Sequence, residues 1–258
     1  MSREFENKWA VILGGSSGLG LASAIKLASH GMNICVVHRD RRSDLAQIEK
    51  NWELIRSQHV EFKTINTDAL KLDSRQKVLD EIGSNQVYLL LHSLAKGNLK
   101  PLKGDRDQRL SSQDLSLTTN AMGGSLLDWA QELISSDKFS NPARIIAFTS
   151  EGNQRTWPAY GAVSAAKGVL EALIRQMAVE YAGLGISTNA IQAGVTLTPS
   201  FQMIPNNEKM AYMAEKRNPF GRLTTPQDIA KVVYLLSRPE ADWINGAIIK
   251  ADGGESLR

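Results

Sequence analysis

Cysteine is all but missing from this 258-residue chain: Cys35 stands alone, so no intramolecular disulfide can staple the fold, and a reducing compartment is expected. Cys35 sits in the apolar run 34–37 and reads as a small buried core residue. Long hydrophobic runs are lacking as well. Nothing approaches the roughly 20 apolar residues that a membrane-spanning helix needs, so no membrane partner is expected. Residues 1–8 carry Arg3, Glu4 and Glu6 before Lys8 and no apolar stretch, which excludes the pattern of a signal peptide and makes the cytoplasm the expected setting. There is little excess of charge of either sign: 30 Lys and Arg oppose 27 Asp and Glu, a net +3. That is too small for a nucleic-acid binder and permits only local basic patches. Internal repeats, low-complexity linkers and breaks in composition are absent, which excludes solenoids, collagen and coiled coils and favours one domain over the whole of 1–258. What remains, 42% hydrophobic and 22% charged residues, is the composition of an ordinary globular protein with a sizeable core.

Short apolar runs alternate with segments of helical period. Strands are expected at 9–13, 33–37, 60–66, 87–91, 144–149, 186–192 and 247–250, and helices at 18–29, 43–57, 74–81, 110–134, 160–181 and 225–236. The strand runs are too apolar to leave a face in water, as in a parallel sheet covered by helices on both sides. The expected fold is therefore α/β, a doubly wound parallel sheet of about seven strands. In the helix over 160–181, Val163, Ala166, Leu170, Leu173 and Met177 recur at spacings of three and four, one stripe for packing on the sheet. Tyr160 and Lys167 lie about two turns apart and share a face. Two hydrophilic stretches, 96–113 and 196–221, interrupt the rhythm at the strand ends where such folds place ligands.

After the first strand comes Gly14-Gly15-Ser16-Ser17-Gly18-Leu19-Gly20, followed by a helix. Glycines at that place allow a sharp turn and a close approach to a pyrophosphate, held by the helix's first N–H groups. At the end of the second strand an NAD-binding fold carries an acidic residue for the ribose hydroxyls, but this chain reads His38-Arg39-Asp40-Arg41-Arg42. A guanidinium at 39 suits the 2′-phosphate of NADPH, while Asp40 can equally neutralise Arg39. Asp68 can accept from an adenine amino group or cap a helix.

Taken together, the Gly14 to Gly20 turn, Asp68-Ala69, Asn120, Ser150, Ser164-Ala165-Ala166-Lys167, Asn189-Ala190-Ile191 and Asp252-Gly253-Gly254 resemble the short-chain dehydrogenase/reductases over essentially the whole chain. Three departures sharpen the likeness. Most relatives read Tyr-x-x-x-Lys, which would put tyrosine at 163, where this chain has Val163; its tyrosine is Tyr160. His92-Ser93-Leu94-Ala95 replaces the usual Asn-Asn-Ala-Gly, and Ala193-Gly194 replaces Pro-Gly. All three are similar to the enoyl-acyl-carrier-protein reductases of bacterial type II fatty acid synthesis, and Arg39 to their NADPH-dependent branch. The shift has a physical rationale: reduction of a 2-enoyl thioester puts hydride on the β-carbon while charge appears on an oxygen two carbons away. Moving the acid back three residues displaces it by about 4.5 Å along the helix.

The resemblance implies Tyr160, Lys167 and Ser150 as catalytic residues. Lys167 would bind the nicotinamide ribose and lower the tyrosine pKa, while Ser150 stands where many enoyl reductases carry another tyrosine. The implied cofactor contacts are Gly14, Ser16, Ser17, Gly18, Leu19, Gly20, Arg39, Asp68, Ala69, Ser93, Ala95, Lys167, Gly194, Val195 and Thr198, with no metal. Asn120 holds a helix kink or joins a proton path, and His92 packs in the interior. Trp157 and Pro158 are expected to wall the tyrosine. Phe201, Met203, Ile204, Met210, Tyr212 and Met213 form an apolar set that covers an acyl chain as a mobile lid or packs against the domain or a neighbouring subunit. Lys209, Lys216 and Arg217 are expected to steer an acidic acyl carrier protein. The family also implies a homotetramer. The competing readings are a carbonyl reductase of the same superfamily, favoured by Ser150 and Asn120, and a non-catalytic NADPH sensor.

Overall fold

The computed structural model describes residues 3–258; Met1 and Ser2, the start of the N-terminal segment read above, lie outside the described residues. Seven strands, β1 (Trp9–Leu13), β2 (Asn33–His38), β3 (Phe62–Asn66), β4 (Val87–His92), β5 (Phe139–Ser150), β6 (Ile186–Ala193) and β7 (Ile248–Ala251), form one sheet in the order β3-β2-β1-β4-β5-β6-β7. Every neighbouring pair is parallel. The alternation of side chains across the pleat splits the apolar strands between two cores. Trp9, Val11 and Leu13 join α3 (Leu72–Glu81), α5 (Ser125–Ser135) and α6 (Gly161–Glu180) on one face. Ala10 and Ile12 join α1 (Gly18–Ala28), α2 (Leu45–Arg56) and α9 (Pro226–Ser237) on the other.

Both faces of β1, β2 and β4 are fully buried, as their apolar runs dictate. The expectation of complete burial fails at the sheet edges: β3 alternates half-buried and exposed residues and β7 is half-buried, because each has only one neighbouring strand. The helix expected over 110–134 is also not continuous. It runs as α4 (Ser112–Thr119), a π turn (Asn120–Gly124) and α5. There Ser125 Oγ donates to the Ala121 carbonyl and meets His92 Nε2 at 2.9 Å. A Cβ on Gly123 would stand 3.0 Å from the Ala166 carbonyl of α6, so the widened turn lets the two helices approach. The stretch 196–221 contains two short helices, α7 (Pro199–Gln202) and α8 (Asn207–Arg217). Among the described residues no helix is long and apolar enough to cross a membrane.

Strand order reverses at β1, with β2 on one side and β4 on the other. Loops leaving the carboxyl ends of β1 and β4 therefore diverge and open a crevice. Gly14 N–H donates to the Val37 carbonyl and Ser93 N–H to the Leu13 carbonyl, which anchors the mouth of that crevice.

Candidate active site

A cleft of about 1040 Å³ lies over the carboxyl ends of the strands. At one end the Gly14 to Gly20 turn delivers the chain into α1. Gly14 has φ +87°, and a Cβ there would stand 2.7 Å from the Ser93 carbonyl; a Cβ on Gly20 would collide with the Gly14 carbonyl. The turn thus needs glycine on steric grounds. Ser17, the first residue before α1, makes no side-chain cap, and the first turn carries no acidic residue. The opening N–H groups of α1 are left to the cleft, a cradle that fits a pyrophosphate.

Arg39 Nη1 lies 2.7 Å from Asp68 Oδ2, while Asp68 Oδ1 accepts the Leu70 N–H at 3.1 Å. Asp68 is thus both a turn cap and the counter-charge of Arg39. Asp40 does not neutralise Arg39; it meets the buried His38 Nδ1 at 2.8 Å. The Arg39 side chain stays 57% exposed, which leaves guanidinium N–H groups free to meet a phosphate.

At the other end the pivotal residue is Tyr160, which stands just before α6 rather than within it. Ala159 takes φ +63°, a left-handed backbone that costs a non-glycine residue on the order of 1 kcal/mol and turns the tyrosine into the cleft. Its ring occupies the space a side chain on Gly152 would fill. Burial raises the Tyr160 pKa, and a hydrogen bond from Ser150 opposes the rise. The expected lowering by Lys167 is therefore overturned. Lys167 is 6% exposed and donates to the Phe148 carbonyl at 2.7 Å, which turns its charge toward the strand. Burial lowers the Lys167 pKa to about 8, although the Glu171 carboxylate one turn along opposes this. Thr149 Oγ1 donates to that carboxylate at 2.7 Å. Val163 is buried and lines the cleft where the usual tyrosine would stand.

His92 is buried, and burial, followed by the Lys167 charge, pushes its pKa down to about 3. It is neutral at working pH and packs, as expected, in the interior. Asn120 is exposed at the π turn and does not line the cleft, which fits a kink residue and not a proton path. Every expected cofactor contact lines the cleft except Gly20, whose part is the close packing of the turn. Phe201, Met203, Ile204, Met210 and Met213 line its far wall, and Trp157 Nε1 donates to the Pro205 carbonyl, joining the wall beside Tyr160 to the cover. Tyr212 turns outward, 61% exposed. Arg217 also departs from expectation: it is held inward by Glu151 at 2.7 Å and Glu255 at 3.0 Å and is not free to steer a partner. Lys209 and Lys216 remain exposed.

With this geometry in hand, comparison with known proteins decides the family. Residues 14–256 match the model of the short-chain dehydrogenase/reductase family described as Enoyl-(Acyl carrier protein) reductase. The chain belongs to this family. Among curated relatives of this oxidoreductase, the 1-cyclohexenylcarbonyl-CoA reductase of Streptomyces collinus is 28% identical, over 96% of this chain and 86% of that one. An NADPH-dependent aldehyde reductase-like protein of Arabidopsis thaliana is 26% identical, over 95% and 93%. Among solved structures, the enoyl-[acyl-carrier-protein] reductase (NADH) of Aquifex aeolicus VF5 superposes with a TM-score of 0.84 at 21% identity, covering 98% of each chain. That likeness shows the fold.

Sequence reasoning missed several residues of this oxidoreductase's cleft. Lys96, Thr196, Glu151 and Arg155 line it, and Gly152 makes room for the tyrosine ring. Glu151 and Gly152 directly follow Ser150, so their nearness to the site was available; what they do there was not, because it depends on partners more than 60 residues away for Glu151.

Proposed function

We propose that the protein is an NADPH-dependent reductase of trans-2-enoyl thioesters, carried on acyl carrier protein or coenzyme A, acting in cytoplasmic fatty acid biosynthesis as a homotetramer. The observation that carries this reading is the place of the phenol. Among the described residues lining the cleft Tyr160 is the one tyrosine, and it stands at the mouth of α6 while Val163 fills the position suited to direct carbonyl reduction. Bound NADPH would supply the hydride for the β-carbon, and uptake of a proton at the α-carbon completes the reduction. The Tyr160 hydroxyl donates to the thioester carbonyl oxygen as that oxygen gains enolate charge. Lys167 spends one N–H on Phe148 and keeps two for the nicotinamide ribose hydroxyls. The apolar far wall excludes water from the acyl chain. Arg39 and the absence of a carboxylate at position 38 support NADPH over NADH.

A carbonyl reductase is favoured by one observation, the nearness of Ser150 to Tyr160 around Gly152 in the cleft, a pair equally able to polarise a ketone. The homotetramer is supported by exposed apolar side chains, Leu117 and Val169 on α4 and α6 and Leu235 and Trp243 near β7, and light scattering in solution tests it. Oxidation of NADPH, followed by absorbance with a trans-2-enoyl thioester and separately with a 3-oxoacyl thioester, tests the main reading. Turnover of the enoyl substrate is expected. Turnover of the oxo substrate alone would establish the carbonyl reading, and tight NADPH binding with neither reaction would establish a sensor.

A further inference from the structure

A cluster of charged side chains at the far wall of the cleft, one of them deeply buried, takes no part in the proposed reaction. Arg217, in the last turn of α8, reaches two carboxylates through the same nitrogen, Glu151 beside Ser150 and Glu255 near the end of the chain. Glu255 is only 1% exposed. Its other oxygen accepts the Val195 N–H at 3.1 Å, in the loop that follows β6. The approach is close enough that a Cβ on Gly194 would stand 2.9 Å from that oxygen. The residue after Arg217, Asn218, donates to the Asp252 carbonyl at 2.9 Å, so the end of α8 is seated on the same C-terminal segment.

A carboxylate so deeply buried is tolerated only while it is hydrogen-bonded and paired. Glu255 has two partners, and they belong to different working parts: Val195 to the loop facing the nicotinamide end, Arg217 to the cover over the acyl end. Withdrawing either partner leaves the buried carboxylate with only the other to compensate it. We infer that Glu255 is a positioning residue that locks the 194–198 loop to the seating of α8, so that cofactor binding orders the cover of the acyl site before substrate arrives. The inference rests on the reading of the 194–198 loop as a cofactor contact. It gives the C-terminal segment a part in the reaction without contact to either reactant.

Hydrogen exchange on the full-length protein, with and without NADPH, tests this. In the wild type NADPH is expected to slow exchange both at 194–198 and at 207–217, the latter by about tenfold, within the usual range of coupling between sites. In Glu255→Gln the slowing at 194–198 persists while that at 207–217 disappears, and the KM for the enoyl thioester rises with kcat changed less. Arg217→Met, which leaves the Val195 acceptor in place, gives the same pattern and carries the test should Glu255→Gln not fold. Lid protection retained in both variants, or absent from the wild type, overturns the inference while leaving the cofactor reading intact. Failure of NADPH to protect 194–198 in the wild type overturns that reading and the inference with it.

Discussion

The two ends of the cleft are built in opposite ways. At the Arg39 end the charged groups are near the surface: Arg39 is more than half exposed, and its pairing with Asp68 joins two turns that each follow a strand. At the Tyr160 end the charges are interior: Lys167 and Glu255 are 6% and 1% exposed, and each is held by a backbone group, the Phe148 carbonyl and the Val195 N–H. An exposed guanidinium retains its water and can exchange Asp68 for a phosphate at little cost, which suits a group that selects between cofactors. A buried ammonium is set by its surroundings, with its pKa brought down to about 8, which suits a group that must hold one position during chemistry.

The contrast breaks most sharply at the phenol. Tyr160→Phe keeps the ring in the space left by Gly152 and removes the donor, so kcat is expected to fall about 10²- to 10³-fold with NADPH affinity little changed, measured by steady-state kinetics and fluorescence titration. Lys167→Met comes next, with loss of turnover and weaker NADPH binding in the same assays. In the wild type, kcat/KM should fall as pH rises through about 8, where Lys167 loses its proton. Stability moves the other way. The unfolded lysine holds its proton up to near 10.5, the folded one only to about 8, so between these values the unfolded chain binds more protons and stability rises with pH. Below pH 8 the buried charge costs the fold, and Lys167→Met should be no less stable than the wild type in urea unfolding at pH 7.

Arg39→Ala, at the exposed end, should weaken NADPH binding about 10- to 100-fold, the worth of charge-assisted hydrogen bonds, leave NADH binding nearly unchanged, and not lower the melting temperature. An equal loss for both cofactors would show that Arg39 does not read the 2′-phosphate. The smallest effect is expected at Ala159. Glycine relieves the left-handed strain there, and Ala159→Gly should gain about 0.5–1 kcal/mol in chemical unfolding while loosening Tyr160 enough to lower kcat modestly.

Much of this arrangement was legible beforehand. The alternation of apolar runs with helical periods located all seven strands, because burial of both faces demands unbroken apolar sequence in the central ones. The glycine turn and Arg39 were legible because each directly follows an apolar strand run, whereas Tyr160 and Lys167 stood out through the family resemblance. The π turn at Asn120–Gly124 was not, since a helix that widens by one residue keeps nearly the same apolar period. Nor was the inward turn of Arg217, which by composition alone looked like one more surface cation of the 196–221 stretch.

The sequence by itself determined the parallel sheet and the glycine turn, because hydrophobic periodicity and glycine sterics act over a few residues and are written locally, and the shift of the tyrosine to position 160 was visible against the family pattern. Only the tertiary structure decided that Asp40 serves His38, that Asp68 serves Arg39, that Lys167 turns to Phe148, and that Glu255 joins Val195 to Arg217. Apart from His38 with Asp40, those pairings join groups from separate parts of the chain, and which partner comes within reach depends on the packing of the whole sheet and its helices.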